Sequence, residues 1–299
     1  MMGGMVSFQQ PPIATSEAPQ SAPAPLDLLQ SMLAPTGRGA VPIRNSFVQS
    51  ATPGTDGTRG GPMAKMLTDW PAINAYLLIH AVASASAPHV AFFPAASWVT
   101  VAGLTRWAEM DSAKSRWSKQ VSKLVELKLI SREGSGRSVR YTLLNESGDG
   151  QAYTRPRSAA DGAWFSLPHG FWLDGHEQRL ELAEKVMLLI AMSSKAGFEL
   201  PASRAPGWYG VSESTASRGL RGLEQKGYLI AGEHYVPDAR SKTMWRTVKS
   251  YTLVEPWSAA SRRAAMKTRR TPAFRVRPAG QATPPEPTEN GAASAAPTI

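Results

Sequence analysis

The sequence predicts an α+β chain, mostly helical, in which one arrangement of three helices and a two-stranded hairpin occurs twice between tails without stable structure. Three observations predict it. Apolar residues recur at helical spacing in two central segments, while the first 61 residues show no sustained apolar period. Each central segment closes with two β-prone runs around a polar loop. The closing runs also match: Leu129-Ile130 recurs as Leu229-Ile230, 100 residues on, and Tyr141-Thr142-Leu143 recurs as Tyr251-Thr252-Leu253, 110 residues on. A second loop ten residues longer accounts for the difference, and the shared order points to an internal duplication.

Residues 1–61 are rich in Pro, Ala, Ser, Gly and Gln and are expected to be mostly disordered, with at most a transient amphipathic turn or two in Leu26–Leu33. The first unit spans 62–145. Ala72–Ala83 is expected to be a helix with Ile73, Tyr76, Leu77 and His80 on its apolar face. A second helix is expected near Val101–Met110, with Leu104, Trp107 and Ala108 inward. Asp111-Ser112 offers an N-cap, and a third helix follows from Ala113 to Lys128. Strands at Leu129-Ile130 and Val139–Leu144 flank a Gly-tipped loop. Ala85–Ser97, with two prolines and Phe92-Phe93, reads as an insertion between the first two helices.

Residues 146–160, with Gly148-Asp149-Gly150, read as an interdomain linker. The second unit spans 161–257. Its helices are expected at Leu182–Met192, at Ala202–Trp208 (interrupted by Pro206) and at Glu213–Lys226, capped by Ser212 and ended by Gly227. Gly219 and Gly222 weaken that third helix for no reason the sequence reveals. A strand begins at Leu229-Ile230, a polar loop covers Pro237–Thr243, and Val248–Leu253 returns. Residues 258–299 read as a tail, basic at first and then Pro/Ala-rich.

Charge narrows the partners. The chain of 299 residues carries 33 Lys+Arg against 23 Asp+Glu, a formal net charge of +10. The excess sits on 62–145, with ten basic and five acidic residues, and on 258–299, with seven and two; 161–257 holds eleven of each. Such a balance favours nucleic acid first and an anionic membrane second. There is no cysteine, which removes disulfides, thiolate catalysis and cysteine-based zinc sites. No leader-like or membrane-spanning stretch is apparent, so a cytoplasmic, nucleoid-associated protein is expected. Gly-rich phosphate loops, G-x-S-x-G and H-E-x-x-H are missing, and the five histidines are scattered. Neither an enzyme nor a cofactor or metal is expected.

The helix from Ala113 carries the main candidate. At 100° per residue Trp117, Val121 and Leu124 share one face, with Val125 beside them. The remaining surface presents Lys114, Ser115, Arg116, Ser118, Lys119, Ser122 and Lys123. Lys and Arg reach phosphates and guanine acceptors, and Ser reaches phosphate or base edges. The adjoining loop adds Arg132, Arg137 and Arg140, suited to neutralising phosphates or entering a minor groove.

Asp111–Ile130 followed by Arg132–Leu144 resembles the recognition helix and wing of winged helix-turn-helix regulators such as the MarR-like group. Val211–Leu223 resembles the same turn and recognition helix, with Ser214, Thr215, Arg218 and Arg221 outward and a wing at Asp238–Arg246 bearing Arg240, Lys242 and Arg246. The resemblance implies two tandem winged helices and sequence-specific binding of double-stranded DNA, as a transcriptional regulator. The tandem layout is also similar to plasmid replication initiators, which implies a replication or partition protein on origin repeats as the alternative. A third reading is a protein-interaction scaffold, with the neutral second unit packing on its twin or dimerising. The cations of Ser261–Arg277 would track phosphates.

Overall fold

The computed structural model describes residues 24–134 and 139–267. The chain opens with α1 (Pro25–Leu33) and β1 (Ala40–Arg44). The first unit follows: α2 (Trp70–Val82), β2 (Val90–Phe92), α3 (Ala95–Val101), α4 (Met110–Glu126), β3 (Ile130–Glu133) and β4 (Arg140–Leu143). A bridging stretch holds β5 (Trp164–Pro168), α5 (Gly170–Leu173) and α6 (His176–Arg179). The second unit is α7 (Leu182–Ser193), β6 (Phe198–Glu199), α8 (Ala205–Tyr209), α9 (Glu213–Gln225), β7 (Leu229–Pro237) and β8 (Trp245–Leu253), and α10 (Ala259–Lys267) closes the described chain. The class is α+β.

Both units run helix, strand, helix, helix, strand, strand. Both fold the three strands into an antiparallel sheet with the last strand central: β2-β4-β3 and β6-β8-β7. The sequence reading missed the first strand of each sheet. Ala85–Ser97 is no insertion between helices: it holds β2 and the start of α3, so the second helix is Ala95–Val101 rather than Val101–Met110. Strands of three and two residues are too short to show a period.

Residues 24–61 correct the expectation of disorder. Leu29, Met32 and Leu33 of α1 are buried, as is every residue of β1. The physical reason lies in α2. Its sequence, WPAINAYLLIHAV, is apolar all round rather than on one stripe, and such a helix needs cover on every side. Here α4 lies against it from within the unit, and α1 and β1 pack on it from outside. A Pro/Ala-rich composition hid a segment in which Leu29, Met32, Leu33, Val41, Ile43 and Phe47 all point inward.

Residues 146–160 do not behave as a free linker. Glu146 is wholly buried, and its carboxylate takes the Arg44 guanidinium at 2.8 Å and the Arg44 backbone N–H at 3.1 Å. Arg44 also donates to the Thr154 and Asp161 carbonyls, and Tyr153 is buried. Beyond it, β5 pairs antiparallel with β1, from Ala40 opposite Pro168 to Arg44 opposite Trp164. One two-stranded sheet thus ties the units together, β1 against α2 and β5 against α7. The expected tail from 258 begins instead with α10 packed on β5 and β1. Arg262, assigned to a phosphate-tracking arm, is buried there. It donates to the Trp257 and Met192 carbonyls. Arg269, Arg270, Arg275 and Arg277 lie outside the described residues.

His80 sits in the seam this cover creates. It is fully buried, stacked on Tyr76 at 5.5 Å and edge-on to Tyr153 at 5.0 Å, with neither ring nitrogen hydrogen-bonded. Burial first, and then the nearby Arg38 and Arg155, hold its pKa well below the ordinary 6.5. The folded state therefore keeps His80 neutral where the unfolded chain protonates. Stability is full above about pH 7. It falls by up to about 1.4 kcal/mol for each pH unit below 6.5 from this residue. Urea midpoints at pH 7.5 and 5.5 should show the loss, and His80→Phe should remove most of it. An equal pH dependence in the variant would refute the assignment.

Candidate nucleic-acid interface

Helix α4 is placed by its apolar stripe. Ala113, Trp117, Val121 and Leu124 are buried. Trp117 stacks on Trp98 of α3 with centroids 5.2 Å apart, and its Nε1–H donates to the Tyr141 hydroxyl of β4 at 3.1 Å. That docking turns the opposite face outward: Ser115, Arg116, Lys119 and Ser122 are exposed, and Val125 is exposed rather than inward. Lys114 and Lys123 are half-buried and tied to Asp111 at 3.0 Å and Glu126 at 3.1 Å, so their charges are partly spent within the helix. Ser115, Ser118, Lys119, Ser122 and Lys123 line a shallow hollow of about 420 Å³, with Asp69 and Glu126 at its rim.

The hairpin stands beside this face. Arg132 is exposed and its Nη1 donates to Ser118 Oγ at 3.4 Å, joining β3 to α4. Arg140 is exposed, with its guanidinium over the Phe92 ring at 5.3 Å, a cation–π contact that holds the cation outward on the sheet. Among the described residues Arg116, Lys119, Arg132 and Arg140 enter no ion pair. Arg132 thus joins the exposed cations and serines of α4, while Arg140, paired across from Glu133 and Phe92, lies on the other face of the sheet. Arg137 lies outside the described residues.

Two local expectations fail. The helix begins at Met110 with Glu109 in the cap position and no side-chain cap bond, so Asp111-Ser112 lie in the first turn. Trp107, placed on an inward face, is 82% exposed in the turn before α4. The shift of the second helix upstream leaves it in a connection with no core to enter.

In the second unit the capping expectation matches the geometry. Ser212 Oγ accepts the Thr215 N–H at 3.2 Å and donates to Thr215 Oγ1 at 2.8 Å, so Thr215 is engaged in the cap. Gly227 takes a φ of +71°, which favours glycine. Ala216, Leu220 and Leu223 are buried, leaving Ser214, Arg218, Arg221 and Gln225 exposed. The two glycines acquire a reason: a Cβ on Gly219 would strike the Ala183 carbonyl oxygen and the Met187 side chain, and one on Gly222 would strike the Glu184 carboxylate. They let α9 lie closer to α7 than any side chain permits. Buried Glu184 in turn takes the Lys226 ammonium at 2.6 Å.

The second hairpin is less cationic than its sequence implies. Arg240 and Lys242 are exposed in the loop, but Arg246 faces Asp238 at 3.8 Å and Lys249 faces Glu233 at 3.4 Å. Its exposed Tyr235, Met244 and Trp245 escaped the sequence reading. Their signal was present, as bulky residues bordering a polar loop where a folded strand end needs none.

Among the described residues no group of His, Asp and Glu is placed to hold a metal ion, and no helix is long and apolar enough to cross a membrane. Protein-family models, curated proteins and solved structures were all compared with the chain, and none matches it.

Proposed function

We propose that the chain is a double-stranded DNA-binding protein built from two winged helix-turn-helix units, acting as a transcriptional regulator. The observation that carries this reading is the first unit's cationic side. Arg116, Lys119, Ser115 and Ser122 face outward on α4, and Arg132 of the hairpin reaches the same helix through Ser118. A helix with one buried stripe and such an opposite face suits the major groove, with the hairpin on the adjacent backbone. The repeated order and sheet topology of the second unit support a second, different reading head, Ser214, Arg218 and Arg221 on α9. Two heads held by one chain span two half-sites without a second copy.

Purified full-length protein is to be incubated with a random duplex pool at two salt concentrations, and the retained DNA sequenced. An enriched motif is expected. If about six phosphates are neutralised, log K falls with log salt at a slope near −5. The Lys119→Ala/Arg132→Ala variant should lose most of the affinity and flatten the slope by about 2. A motif recurring in arrays beside the gene would move the role to replication initiation. No retention at low salt would overturn the reading.

A further inference from the structure

The long hairpin of the second unit carries an aromatic face that the groove-reading scheme does not use. Strands β7 and β8 pair over nine residues each, from Leu229 opposite Leu253 to Pro237 opposite Trp245. The third strand, β6, pairs only with Ser250 and Tyr251. Outward of Ser250 the sheet narrows to two strands, with Val248 still buried on the other face. Side chains alternate between its faces, and directly opposite residues share one. The face that buries Leu229, Tyr251 and Leu253 at the base carries the exposed Glu233–Lys249 ion pair next, and farther out Tyr235 with Thr247 and Pro237 with Trp245. Beyond that charged pair the face turns apolar again, away from the core. Tyr235 is 69% exposed, Trp245 52%, and Met244 at the turn 70%. Tyr235, Thr243, Trp245 and Thr247 line an open hollow of about 600 Å³.

An exposed apolar face of this kind marks an interaction site, and its surroundings select the partner. The adjoining turn presents Arg240 and Lys242 outward, with Arg246 behind; Asp238, bound to Arg246, is the one acid between Asp238 and Arg246. Aromatic rings bordered by cations complement a strand whose bases are flat and whose backbone is anionic. We propose that the outer half of the β7–β8 ribbon is a base-stacking platform. Tyr235 and Trp245 receive unpaired or unstacked nucleobases while Arg240 and Lys242 hold the neighbouring phosphates. The inference rests on the nucleic-acid reading above and adds that the chain distinguishes melted from fully paired duplex.

The test uses the full chain and two oligonucleotides of one sequence, a complete duplex and the same duplex with a three-nucleotide bubble. The wild type is expected to bind the bubble at least about tenfold tighter, the factor that one stacked base supplies. Tyr235→Ser/Trp245→Ser should abolish that preference and leave binding to the complete duplex unchanged, while Trp245→Phe should keep it. Lys119→Ala/Arg132→Ala should weaken both substrates alike. Complete-duplex binding with no bubble preference in the wild type overturns the platform and leaves the DNA-binding reading standing. Bubble binding without complete-duplex binding does the reverse. No binding to either overturns both. A wild-type dimer in sedimentation that the Ser/Ser variant dissociates would assign the face to a second copy of the chain and overturn the proposal.

Discussion

Glu146→Ala is expected to cost about 3–5 kcal/mol of folding stability. The carboxylate has no access to solvent, and burial pushes its pKa above the usual carboxylate range while Arg44 pulls it back. Removing it leaves the Arg44 guanidinium, itself only 11% exposed, without a counter-charge. The bonds from Arg44 to Thr154 and Asp161 remain, but carbonyl dipoles do not neutralise an ion. Thermal unfolding should shift down by roughly 10 °C. The double variant Arg44→Met/Glu146→Leu should recover most of the loss, because an apolar pair of similar volume escapes the desolvation penalty. A single variant within about 1 kcal/mol of the wild type would mean that water reaches Arg44 and that the pair does not close the seam.

Gly219→Ala is expected to destabilise the second unit by about 2 kcal/mol. In an exposed helix the same change gains roughly 1 kcal/mol. Here the added methyl would meet Met187 Cγ at 2.5 Å and, closer still, the Ala183 carbonyl oxygen, which belongs to the backbone of α7 and cannot rotate away. Overpacking of this kind costs about 1–3 kcal/mol, and a backbone obstacle puts it at the upper end. Gly207→Ala is the matched control. Its Cβ meets nothing within 4 Å and its φ is not positive, so α8 should gain about 0.5 kcal/mol. Equal urea midpoints for the two variants would refute the account of close helix approach.

What the sequence made legible was local. Trp117, Val121 and Leu124 announced a helix face by spacing alone, and Ser212 and Gly227 announced the ends of α9 through the chemistry of caps. The exposed cations of α4 followed from the same arithmetic. What it hid was cover and closeness. Nothing in Ala40–Arg44 states that it pairs with Trp164–Pro168, more than a hundred residues away. Nothing in Gly219 states that another helix passes within reach. Lys114 and Lys123 looked as available as Lys119 until Asp111 and Glu126 were placed beside them. Arg262 looked like part of a basic tail because charge counts carry no depth. Such facts belong to pairs of distant residues, and composition or period describes one segment at a time.

The pairing of β1 with β5 has a thermodynamic consequence. Two separate subunits docked through such a sheet would part on dilution, at a concentration set by their dissociation constant. Within one chain the partner strand is always present, so the arrangement of the two units holds at any concentration. It also frees the halves from identity. In a homodimer one codon changes both copies of a residue at once. Here Lys119 and Arg218 are encoded apart, and each half can change its surface while the other keeps its own.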